Sequence, residues 1–164
     1  MLKPFDPNAY GPAVASILAE LPLSPLGPGT PRVELRANLK PLDLPTACEA
    51  GMWLRCDFLH ESHDISQELH SAEGSFWHAV MHRREPDAFN SKYWWRRVGQ
   101  HPVLKLLVEQ CPAIGYTYTN PPDFVDFCEK HRDTGSEEEE LAKRVQQLEW
   151  ELLFDLCFQQ SKSG

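Results

Sequence analysis

The chain has 164 residues, of which 41% are hydrophobic and 24% charged, the composition of one folded domain rather than of a disordered segment. Its net charge of -8 argues against a general nucleic-acid binder, which carries a basic face. No apolar run reaches the roughly 18 residues of a membrane span, and the start MLKPFDPNAYGP lacks signal-peptide organisation, so a cytoplasmic protein without a membrane partner is expected.

Cys48, Cys56, Cys111, Cys128 and Cys157 are odd in number, widely spread and free of any CxxC pair. Reduced thiols in a packed interior are therefore expected rather than a disulfide framework or a zinc ribbon.

Residues 1–45 hold most of the fourteen prolines. One helical signal stands there, Asn8 to Leu21, with Pro12 suited to a first turn and Val14, Ile17, Leu18 and Leu21 at helical spacing. The remainder of this stretch reads as an extended arm laid over a core. From Thr46 to about His70 no proline intervenes, and Leu54, Phe58, Ile65 and Leu69 fall on one stripe, which predicts a long helix. Gly51, Ser62 and Ser66 lie within its buried arc and would permit close helix approach, while Asp57, Glu61, Asp64 and Glu68 form an acidic, solvated row.

The next helix starts with Ser71 or Ser75 as cap and stops before Pro86. DAFNSKYWWRRVGQ predicts a turn and a short aromatic-basic helix closed by Gly99, and His101–Pro102 opens another helix through Cys111. PAIGYTYTNPP reads as a loop with strand-like character, followed by a helix over about 122–131. Ser136 caps a terminal helix whose Glu137 to Glu140 load its positive end, and Leu141, Val145, Leu148, Leu152 and Leu156 repeat at core spacing. Its broad apolar surface suits central packing or a homodimer seam. The expectation is one all-α domain over 1–164: a bundle of about six helices in 46–164 and a Pro-rich arm in 1–45.

The chemistry concentrates in the middle, where His60, His63, His70, His78, His82 and His101 lie. Phe76 to Glu85 (FWHAVMHRRE) puts His78, His82 and Glu85 at i, i+4 and i+7, on one helix face. Phe76, Trp77, Ala79, Val80 and Met81 surround that helix, so His78 is buried and needs a partner. Cys56, His60 and His63 repeat the spacing on the preceding helix, and a short connection makes the two helices an antiparallel hairpin. His63, His78 and His82, with Glu61 or Glu85, then fit three ligands and an open position on a divalent transition metal such as zinc, iron, nickel or manganese. Nitrogens within about 4 Å of one another would suit one ion. HESH at 60–63 is not HExxH, and no duplicated Glu-x-x-His of di-iron bundles occurs.

A metal-free arrangement uses the same residues: His78 or His82, held by Glu85, as general base, with Arg83, Arg84, Arg96 or Arg97 receiving the anionic group of a small substrate. The competing structural reading gives the histidines backbone partners and pairs Glu85 with an arginine. In it Tyr93, Trp94 and Trp95 pack inward under the arginine stems.

SFWHAVMHRREPDAFNSKYWWRRVGQHP, with HESH before it, resembles a WHAxMHRREPD...KYWxRRVGxHP segment of a family of small bacterial and fungal proteins of uncharacterised function. The resemblance covers Ser75 to Pro102 and His60 to His63, under a third of the chain, and implies no particular activity. The chain also has a loose similarity to DinB-like helical bundles, which bind a metal through three histidines, although order and spacing differ here. Two functions therefore stand side by side. One is a metal-dependent or histidine-based enzyme acting on a small anionic metabolite. The other is a non-catalytic helical binding or scaffold protein with an aromatic-basic docking segment.

Overall fold

Helix boundaries follow the side chains able to cap them. In the computed structural model, which describes residues 4–163, nine α-helices run as α1 (Pro12–Ala19), α2 (Arg36–Leu39), α3 (Thr46–Arg55), α4 (Leu59–Ser66), α5 (Ala72–Arg84), α6 (Ala88–Val98), α7 (Pro102–Gln110), α8 (Pro121–His131) and α9 (Glu137–Ser163). No strand occurs among the described residues, so the all-α expectation holds; a 3-10 turn at Cys111–Ile114 leads into IGYTYT, which is irregular chain rather than a strand. Ser71, not Ser75, caps α5 by accepting from Gly74 N at 3.1 Å. Asp87 does the same for α6 through Asn90 N. At α9, Ser136 Oγ accepts from Glu139 N, while Glu139 reaches back to Asp133 N and Gly135 N, so the acidic run is a helix start.

The predicted helix from Thr46 to His70 is broken. Asp57 takes a left-handed φ of 68°, and α3 and α4 separate there. Arg84 supplies the physical reason. Its Nη1 donates to Leu54 O at 2.9 Å and its Nη2 to Asp57 Oδ1 at 2.6 Å, so the end of α3 is satisfied by a side chain rather than by another helical turn. Arg84 Nε also donates to Gly27 O, pinning the Pro-rich arm. The acidic row is solvated only in part: Asp64 and Glu68 are exposed, whereas Asp57 is half-buried against Arg84 and Glu61 pairs with Arg36 at 2.8 Å. The arm is also more structured than expected, holding 3-10 turns at Pro7–Tyr10 and Val33–Leu35 as well as α2.

One apolar core runs from Tyr10 to Cys157, with α5 inside it and packed on α6, α4 and α3. Gly51 allows this: a Cβ there would lie 2.7 Å from Trp77 Cζ2. Ser62 Oγ donates to Ala50 O at 2.8 Å across the α3–α4 contact. All five cysteines are buried and free, and burial pushes the Cys56, Cys111 and Cys128 thiols up to about 12.

Arg83 reaches α9, donating to Glu149 at 2.7 and 3.0 Å and to Gln146 at 3.1 Å, with its guanidinium 4.7 Å from the Phe124 ring centroid. Burial opposes its charge, and the Glu149 carboxylate outweighs that and raises the guanidinium's pKa. This pull rotates α9. Its buried line is Ala142, Val145, Glu149, Trp150, Leu153 and Cys157, whereas Leu141, Leu148, Leu152 and Leu156 of the expected stripe are half-buried. Arg83→Leu is expected to lower the unfolding free energy by about 3–5 kcal/mol because Glu149 is left unpaired. Arg83→Leu/Glu149→Leu should recover most of that loss in urea denaturation.

Candidate metal centre

His63 on α4 and His78 on α5 stand at equal sequence distance from the turn near His70 and Ser71. An antiparallel hairpin brings such positions together, and His82 follows one turn further along α5. The ring centroids are 4.6 Å apart for His63 and His78, 4.8 Å for His78 and His82, and 5.5 Å for His63 and His82. Three imidazoles around a tetrahedral ion at ~2 Å from each nitrogen have centroids about 5 Å apart, so the rings are at ligating separation. One donor nitrogen from each lies within 4.8 Å of the others. That is wider than the roughly 4 Å of a closed site.

Each ring is held differently. Glu85 Oε1 lies 2.6 Å from His82 Nδ1. A carboxylate in that place fixes the tautomer with the proton on Nδ1 and leaves Nε2 for an ion. His78 is buried, stacked on Trp94 with centroids 3.8 Å and planes 15° apart, and its Nδ1 has no hydrogen-bond partner among the described residues. His63 is half-buried and borders an open cleft of about 330 Å3, together with His60, Asp64, Gln67 and Glu85. His60 Nε2 faces Asp64 at 3.3 Å on its rim.

The other expected site residues divide. Arg83 and Arg84, expected to receive an anionic substrate, are buried ion-pair partners of Glu149 and Asp57. The reason is their position on a helix buried on almost every side, where a guanidinium requires a carboxylate. Arg96 is exposed, and Arg97 lies 5.4 Å from the Trp94 ring. Glu61 is taken by Arg36 and leaves Glu85 as the carboxylate of the cluster. Cys56 does not continue the His60–His63 row because the helix breaks beside it.

Trp94 is the residue that sequence reasoning missed. A signal existed: His78 and Trp94 are equidistant from Pro86, as residues facing each other across the α5–α6 hairpin must be. Ser91 Oγ donating to Ala79 O at 2.7 Å joins the same two helices. His101 has a structural role, capping α7 through Val103 N and meeting Glu73 at 2.8 Å.

Electrostatics disfavour a proton on His78 and His63. Burial first, then His82 and His63, push the His78 pKa down from 6.5 to about 3, and burial and His82 lower that of His63. Neutral imidazole is the ligand form. The unfolded chain therefore takes up protons that the folded chain refuses. The stability contributed is complete above pH 6.5 and declines as pH falls toward 3. In thermal melts of metal-free protein, Tm should drop over that window, and His78→Gln should flatten the drop. No protein-family model, curated protein or solved structure matches this chain.

Proposed function

We propose that the protein is a metal-dependent enzyme whose divalent transition metal is held by His63, His78 and His82. The observation that carries this reading is the convergence of the three rings with Glu85 on the far nitrogen of His82. An ion would satisfy the buried ring of His78, and three protein ligands leave a position open toward the cleft, where it would activate water or polarise a substrate oxygen. Glu85 orients His82, and Asp64 with His60 offers proton transfer at the rim.

The cleft carries Asp64 and Glu85 and no lysine or arginine on its lining. A small neutral or cationic substrate suits it better than the anionic metabolite expected from the arginines, none of which lines it. Five buried free thiols agree with a reducing, cytoplasmic setting. No helix of the described residues is long and apolar enough to cross a membrane.

A non-catalytic docking role is the second reading. It is favoured by Phe89, 79% exposed on α6, with exposed Tyr93, Arg96 and Arg97 on the same helix. The two readings separate on metal content. Tag-free protein, stripped and reloaded, should bind one equivalent of zinc or cobalt by elemental analysis and titration. His63→Gln or His82→Gln should weaken this roughly hundredfold or more, and Glu85→Gln about 10–100-fold. Absence of stoichiometric metal and of any metal-induced rise in Tm would leave the docking role.

A further inference from the structure

Arg55, the last residue of α3, is 7% exposed, yet it has no carboxylate oxygen within 4.0 Å among the described residues. Nη1 donates to Ser24 Oγ at 3.1 Å, and Nε is buried without an acceptor. The acidic groups nearby are committed or distant: Asp57 holds Arg84 at 2.6 Å, and Glu151 accepts from Gln147 Nε2 at 3.0 Å. Arg83 and Arg84, buried to a similar degree, have carboxylates at 2.7 and 2.6 Å. By the standard of the chain's own interior, Arg55 lacks a carboxylate in contact, and Asp57 and Glu151 favour its charge only from beyond ion-pair distance.

Arg55 lines two spaces. One is a void of about 20 Å3 beside Ser24 and Gln146, room for a single water, which could accept a hydrogen bond but would bring no charge. The other is a surface cleft of about 620 Å3, within the usual range of small-molecule sites, whose walls include Phe5, Leu18, Leu21 and Leu23. An arginine that shares a cleft with aliphatic side chains matches a carboxylate that carries an apolar tail.

We propose that this cleft binds an aliphatic monocarboxylate, with the carboxylate on Arg55 and the tail along Leu18, Leu21 and Leu23. Glu151 is the acidic group on the cleft wall, and burial raises its pKa. It disfavours a second negative charge on the ligand and so selects against dicarboxylates and phosphates.

The test is calorimetric titration of the full chain with decanoate, decylamine and 1-decanol, each below its aggregation concentration. Saturable one-to-one binding of decanoate is expected, about tenfold or more tighter than for the amine or alcohol. Arg55→Met should remove that preference. Ala19→Glu, at an exposed position of the same wall, keeps the test valid if Arg55→Met does not fold, and should weaken decanoate binding. The proposal is overturned by absence of saturable decanoate binding, by equal affinity for the alcohol, by tighter binding of decylamine, which would make Glu151 the anchor, or by unchanged decanoate affinity in the folded variants. The readout does not depend on the metal content of the histidine cluster.

Discussion

Two consecutive arginines at the end of α5 enter the interior and between them determine how four parts of the chain meet. Arg83 takes Glu149 and Gln146 from α9 and lies over Phe124 of α8, while Arg132 Nη2 donates to the Arg83 carbonyl at 3.1 Å. Arg84 takes the end of α3 through Leu54 O and Asp57, and the arm through Gly27 O. Removing a guanidinium from water is tolerated only when its donors and its charge are matched together. That requirement explains features with no local cause, namely the break after α3, the rotation of α9 and the anchoring of the arm.

The histidine cluster depends on the same arrangement. With α5 locked at its C-terminal end, His78 and His82 face α4, and Trp94 closes the opposite hairpin over His78. The cluster is costly to assemble from side chains alone, because three neighbouring imidazoles cannot all carry protons, and His78 Nδ1 is left without a partner. The three histidines, with Glu85 on one ring, have donor atoms close enough together that they could hold a metal ion. Arg55, the last residue of α3, poses a related problem of one buried charge and an open cleft beside it.

Much of this was legible in the chain. Ser71, Asp87, Asn120 and Ser136 each accept from the backbone N–H three residues on, and Pro12, Pro102 and Pro121 occupy first turns. The pairing of His63 with His78 also followed from sequence, because a short connection reflects residues about the turn. The assignment of Arg83 and Arg84 to a substrate was not recoverable. Charge and spacing say that arginines are present, but their acceptors, Glu149 and Asp57, lie 66 and 27 residues away in opposite directions along the chain. The helix break at Asp57 eluded periodicity for the same reason, since a left-handed residue there is stabilised by a partner from another helix.

The sequence by itself determined the all-helical character, the burial of the cysteines and the shared face of His78, His82 and Glu85. These depend on interactions within a few residues: capping, proline placement and a 3.6-residue period. Only the tertiary structure decided which polar groups meet: Arg83 with Glu149, Arg84 with the end of α3, and Arg55 with no carboxylate in contact. Such pairings are set by desolvation, which depends on what surrounds a side chain in space and leaves no periodic trace along the chain.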